Sequence, residues 1–146
     1  MMTNEIHSIC IFLFYNKAQG KQVKYIRNKK YLHCNIISFD GSDCHLLEIT
    51  TSGIECRRIK SKSMIKVFER LKSIDSIETQ ICVSVSNKHK VKWFPLAIKS
   101  CNEFCRYVSG VNIGFTYDPF SLYKKLLKYN NKRNFEILRT WERRNG

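Results

Sequence analysis

Three side chains far apart in the chain, His33, Glu48 and Cys101, have the types and local settings of a cysteine nucleophile site. Asp40 and Gly41 stand between two strand-like runs, Tyr31 to Phe39 and Ser42 to Thr50. That dipeptide is the strongest short-range hairpin signal, because both central residues of the tight turn need positive φ. With those two residues as the turn, 39 faces 42 and 33 faces 48, which sets His33 directly opposite Glu48. Opposed residues share one sheet face with Cβ atoms about 4.5–5.5 Å apart, so a carboxylate there holds an imidazole in one tautomer and favours its protonated form. The same register places Leu32, Cys34 and Ile36 opposite Ile49, Leu47 and His45 on the other, more apolar face.

Cys101 follows Ser100 in the pattern Ser-x-x-Glu ending at Glu103, a capping box in which the serine and glutamate side chains satisfy each other's backbone donors. A helix should therefore start at Cys101, carry Phe104, Cys105 and Val108 on one stripe and stop at Gly110. A thiol in the first turn lies at the positive end of the helix dipole, where its thiolate is stabilised. The expected chemistry is attack by the Cys101 thiolate on a carbonyl, with His33 as base, Glu48 orienting the ring and the Cys101 N–H donating to the oxyanion. It needs no cofactor. The bland reading of each residue is a core thiol, a hydrogen-bonded strand histidine and a solvated strand glutamate. His7, His45 and His89 read as structural or surface residues.

The elements that must position these groups fit one domain of 146 residues, too short for a multidomain enzyme. Ser8 to Tyr15 reads as a buried strand and Asn16 to Lys30 as a basic loop or edge strand. After the hairpin, Ile54 to Ile59 extends the sheet as a meander beyond the turn at Thr50 to Gly53. Met64, Val67, Phe68 and Leu71 predict an amphipathic helix over 62–73, followed by strands at Gln80 to Ser86 and Lys88 to Trp93. Asp118-Pro119 opens a helix running to about Tyr129. Residues 130–146 read as a basic appendage, another helix anchored by Phe135, Leu138 and Trp141 or a frayed tail, outside a domain spanning 1–129. The fold class is α+β, a mostly antiparallel sheet packed by the helix at 62–73 and by the helix beginning at Cys101.

The seven cysteines lack the paired spacings of a secreted disulfide scaffold, so reduced thiols and a cytoplasmic setting are expected. No apolar run approaches a membrane span, and Ile9 to Tyr15 lacks the flanks of a signal peptide.

The segments YLHCNIISFDG (31–41), LLEIT (46–50) and IECRRI (54–59) resemble the front half of small phage-encoded and prophage-type proteins with a circularly permuted papain-like fold. SCNEFCRYVSGV (100–111) and TYDPFSLYKKL (116–126) resemble the back half, where that family has a Ser/Thr-Cys-x-Glu-Phe helix start, a Gly stop and a Thr-Pro-x-x-Leu-Tyr segment. The permutation puts the histidine and its polar partner before the cysteine, the order found here. The resemblance implies His33 as general base, Cys101 as nucleophile and Glu48, where relatives often have Asp, as the orienting acid. It implies a peptidase or amidase acting on a peptide, a peptidoglycan cross-link or another amide. The chain departs from the pattern at Cys44, at Ile49 and in the Tyr117-Asp118 insertion before Pro119.

Two other uses of these residues compete. His33-Cys34, Cys44-His45 and Cys101 with Cys105 look rich in zinc ligands, but neighbours in a strand point to opposite faces and no Cys-x-x-Cys occurs. The net charge of +14, with basic clusters at 21–30, 57–62 and 124–144 and tyrosines interleaved, suits a polyanion, so a non-catalytic basic or nucleic-acid-binding module is the alternative function. No helix-turn-helix, zinc-finger or ribonucleoprotein motif accompanies that charge.

Overall fold

Continuous apolar runs, as opposed to alternating ones, mark strands covered on both faces. Ile9 to Tyr15 is such a run, and in the computed structural model, which describes residues 8–17, 28–39, 41–50, 53–61, 63–88 and 100–144, it lies mid-sheet. The strands are β1 (Ser8–Tyr15), β2 (His33–Phe39), β3 (Cys44–Thr50), β4 (Gly53–Ile59), β5 (Ile77–Val85) and β6 (Phe135–Glu142). They form one antiparallel sheet in the order β4-β3-β2-β1-β5-β6. Edge strand β4 is exposed and carries Glu55, Arg57 and Arg58, charges that discourage pairing with another chain.

Helix α1 (Met64–Leu71) covers one face with Val67 and Phe68, packed against Ile11, Leu13, Ile37 and Ile77. Ser63 caps it by accepting from the Lys66 N–H. Helices α2 (Cys101–Ser109) and α3 (Pro119–Tyr129) cover the other face, where Cys101, Cys105, Leu122 and Leu126 meet Phe12, Phe14, Cys34, Ile36 and Val83. Gly110 ends α2 with φ of 74°, in the left-handed region, and a Cβ there would come within 2.8 Å of Lys88 Cβ. Asp118 caps α3 and its other carboxylate oxygen accepts from the Asn28 N–H, tying residues 28–30 to this helix.

The α+β class, the meander from β2 to β4, the packing of the sheet by the helices at Met64 and Cys101, and the helix from Pro119 to Tyr129 match the sequence expectation. The hairpin register does not. Phe39 pairs with Cys44 and Ile36 with Leu47, so four residues, 40–43, connect the strands where two were expected. Asp43 lies in that loop and pairs with Arg58 of β4 at 2.9 Å. The slip is by an even number of positions, which leaves every side chain on its expected face. Asp40, Thr51, Ser52 and most of the expected strand from Lys88 to Trp93 and of the 16–30 loop lie outside the described residues.

Residues 135–142 are neither a helix nor a tail: β6 pairs with β5 and belongs to the same domain, which therefore extends past residue 129. Cys82 pairs with Arg139 and Val83 with Ile137, leaving Leu138 as a bulge, half exposed. Phe135 and Ile137 pack with the α2 face and Trp141 with the α1 face. The bulge reverses the alternation, and that reversal produced the spacing of three that imitated a helix. Replacing Phe135, 3% exposed, with Ala should cost about 3–5 kcal/mol in urea unfolding. A loss below about 0.5 kcal/mol, typical of surface positions, would mean a peripheral tail.

Candidate active site

The β2–β3 ladder stops at Ile36 and Leu47, although β2 begins at His33 and β3 continues to Thr50. On its other side β2 stays paired to β1 as far as His33 opposite Tyr15. The N-terminus of α2 comes to this end of β2. His33 and Cys34 point to opposite sides of the pleat, yet both act on the ionisation of the Cys101 thiol. The β2–β3 ladder is already unpaired at this level.

His33 and Glu48 are on one face but not directly opposed. They meet diagonally, Nε2 to Oε1 at 3.4 Å, both side chains largely buried. Diagonal neighbours in a sheet remain within reach of long side chains, so the corrected register keeps the contact. Neither atom forms a well-aligned hydrogen bond. Asn35 Oδ1 is also unpartnered, so three of the four such buried side-chain atoms among the described residues belong to this cluster. That concentration marks a place arranged for something other than stability.

The charges divide in one direction. The Cys101 thiol is held well below the ordinary cysteine range, first by a hydrogen bond from Cys34, against the opposing effect of burial, and then by the hydrogen bond and charge of His33. For His33, burial acts downward but is outweighed by the hydrogen bond and negative charge of Cys101, then by Glu48 and Asn35, so its pKa is raised. Both shifts favour the charged forms, a Cys101 thiolate beside a protonated His33. Cys34 and Cys105 go the other way: burial pushes both thiols up and keeps them neutral. One thiol in the cluster carries the charge.

Ser100 Oγ accepts the Glu103 N–H and Ser100 O accepts the Phe104 N–H. The N–H groups of Cys101 and Asn102 have no acceptor within the helix, as first-turn donors do not, and suit an oxyanion. The capping box is only half formed. The Glu103 carboxylate turns inward to Arg106, at 2.7 and 2.8 Å, and to the Thr116 hydroxyl at 2.7 Å. Asn102 Nδ2 donates to Thr116 O and Oγ1, so the 111–117 segment is bound to the first turn of α2. Arg106 competes for the carboxylate as a charged bidentate donor, which a backbone N–H cannot match.

The structure sets Glu48 against His33 and places Cys101 where His33 acts on its charge. It adds Cys34, Asn35 and Tyr15. Asn35 donates to the Tyr15 hydroxyl at 3.1 Å, and the Tyr15 ring lies 5.5 Å from that of His33. Burial pushes the Tyr15 phenol up to about 12, so it stays protonated. Asn35 was legible as the next residue on the face of His33; Tyr15 was not, because the β1–β2 pairing has no local signal. All seven cysteines are free, and among the described residues no three His, Cys, Asp or Glu side chains are placed to hold a metal ion. Among those residues no helix is long and apolar enough to cross a membrane.

Alkylation of Cys101 by iodoacetamide should proceed below the ordinary thiol pKa of about 8.5 and be lost only as pH falls through the depressed value. In His33→Ala the midpoint should move up toward that ordinary value; an unchanged midpoint would remove His33 from the ion pair. No family model, curated protein or solved structure matches this chain.

Proposed function

We propose that the protein is a cysteine hydrolase or transferase acting on an amide bond, on a circularly permuted papain-like scaffold of the phage or prophage type. The observation that carries this reading is the Cys101 thiol at a capped helix start, its ionisation favoured by His33, with Glu48 3.4 Å from the same ring. Cys101 attacks the carbonyl carbon while the first-turn N–H groups donate to the developing oxyanion. His33, protonated in the resting pair, gives its proton to the leaving amine, then takes one from the water or acceptor amine that releases the acyl group. Glu48 steadies the imidazolium. A peptide, a peptidoglycan cross-link or another amide is the substrate class, and free buried thiols suit a reducing, cytoplasmic setting.

A peptidyl vinyl sulfone should form a thioether at Cys101 in the wild type and not in His33→Ala. Turnover of peptidyl aminocoumarin amides or purified peptidoglycan should fall by about 10³-fold or more on loss of Cys101 or His33. Labelling spread evenly over several cysteines, independent of His33, would end the enzyme reading.

The lysines of α3 favour a second reading, a basic module without turnover. Lys124, Lys125 and Lys128 line a surface cleft with Tyr117, 60% exposed, and Phe120. Such a surface attracts polyanions through charge and stacking. A filter-binding series with single-stranded DNA should then show a steep salt slope; no retention at about 150 mM salt would leave the lysines as a solvated face.

A further inference from the structure

Thr116 is buried, while its chain neighbours Phe115 and Tyr117 are 55% and 60% exposed. Four hydrogen bonds fix Thr116 to the first turn of α2, the turn that carries Cys101. Its N–H and hydroxyl donate to Glu103 at 3.2 and 2.7 Å, and its carbonyl and hydroxyl oxygens accept from Asn102 at 2.9 and 2.8 Å. The two flanking rings meet edge to face, centroids 5.1 Å apart and 81° between planes. Single exposed apolar side chains are ordinary on a protein surface. Two aromatic rings set together and tied to the turn of a candidate nucleophile form a surface that the core does not require.

A cleft of about 420 Å³ continues from Tyr117 along α3 past Lys124, Lys125 and Lys128. Lys125 Nζ donates to the Phe115 carbonyl and so joins the aromatic pair to the helix. Lys124 and Lys128 are exposed, and among the described residues no carboxylate lies within ion-pair distance of either. Asp118, the acid among the lining residues, is buried and already accepts from the Ser121 and Asn28 N–H groups. The cleft therefore presents positive charge beside an apolar corner.

We propose that Phe115, Tyr117, Lys124 and Lys128 dock the substrate of Cys101, and that this substrate is an acidic polypeptide segment whose apolar side chain sits at the Phe115–Tyr117 corner. This rests on the reading of Cys101 as a nucleophile and narrows its amide substrate to a carboxylate-bearing peptide. The spacing supports a peptide. Lys124 and Lys128, four apart, share one side of α3 and are offset by about 6 Å along its axis. Side chains on one side of an extended peptide repeat every second residue, about 6.4–6.8 Å. Carboxylates at positions n and n+2 thus reach both ammonium groups, whereas adjacent carboxylates point to opposite sides. A nucleic acid strand fits less well. A base stacks on an open ring face, and in an edge-to-face pair one ring's face is covered by the other's edge. The Phe120 ring already carries the Lys124 and Lys30 ammonium groups at 5.6 and 5.8 Å.

The test measures binding of a fluorescein-labelled, unreactive peptide amide to the full-length protein by anisotropy and, in parallel, labelling of Cys101 by a vinyl sulfone built on the same peptide. The peptide carries a phenylalanine and glutamates at n and n+2. It should bind about tenfold tighter than its glutamine counterpart and label faster in the same ratio. Both differences should shrink as salt is raised and disappear in Lys124→Gln with Lys128→Gln. Replacing the peptide's phenylalanine with alanine should weaken binding to the wild type and change nothing further in Phe115→Ala with Tyr117→Ala. Glutamate and glutamine peptides that bind alike, a ratio unmoved by the lysine variant, or single-stranded DNA of equal length displacing the peptide at lower concentration overturns the assignment. The two claims fail separately. Labelling of Cys101 by the glutamine probe without a charge preference defeats only the docking surface, whereas charge-dependent binding with no labelling of Cys101 by either probe defeats the nucleophile and, with it, the surface's role in presenting substrate.

Discussion

The candidate site depends on one placement: the first turn of α2 against the end of β2 that β3 leaves unpaired. Helix start, Cys101 thiol and unpaired first-turn donors are one feature, because Ser100 caps the helix one residue before Cys101. The helix is held from behind by the buried set of Asn102, Glu103, Arg106 and Thr116. A buried ion pair of this kind adds little net stability, since desolvation offsets most of its attraction. Losing one partner, however, leaves an uncompensated buried charge at a cost of about 3–5 kcal/mol. The set therefore restricts where α2 sits more than it stabilises the fold.

That placement governs the electrostatics. A thiolate in a nearly closed site is costly unless hydrogen-bonded and paired, and Cys101 has both compensations, from Cys34 and from His33. With one sulfur charged, the same burial keeps Cys34 and Cys105 protonated. Glu48 adds a second negative charge beside the imidazolium without the alignment of a good hydrogen bond. Its contribution is mainly electrostatic, and the restraint on the ring comes as much from Tyr15 packed against it.

The two faces of the sheet divide the work. The α1 face is a conventional apolar layer of Ile11, Leu13, Val67 and Phe68, and toward the His33 end of β2 it becomes polar with Asn35, Glu48 and His33 itself. The α2 face carries the thiols. The site lies where the two meet, at the end of β2, which explains how one histidine contacts a carboxylate on its own side and a thiol from the other.

Local chemistry alone determined much of this protein. The cap at Ser100, the stop at Gly110, the Asp118-Pro119 start and the helix over Met64 to Leu71 depend on residues within a turn or two, and each forms where the sequence places it. Parity along β2 and β3 likewise set which side chains share a face, because period-two alternation survives an even slip in register. The hairpin loop length, the bulge at Leu138 that turned an apparent helix into β6, and the inward turn of Glu103 toward Arg106 were decided by partners distant in sequence. Only the tertiary structure set Cys34 against Cys101 and Tyr15 against His33. Such contacts form between elements, where the energy of packing layers together overrides what any short stretch of chain prefers.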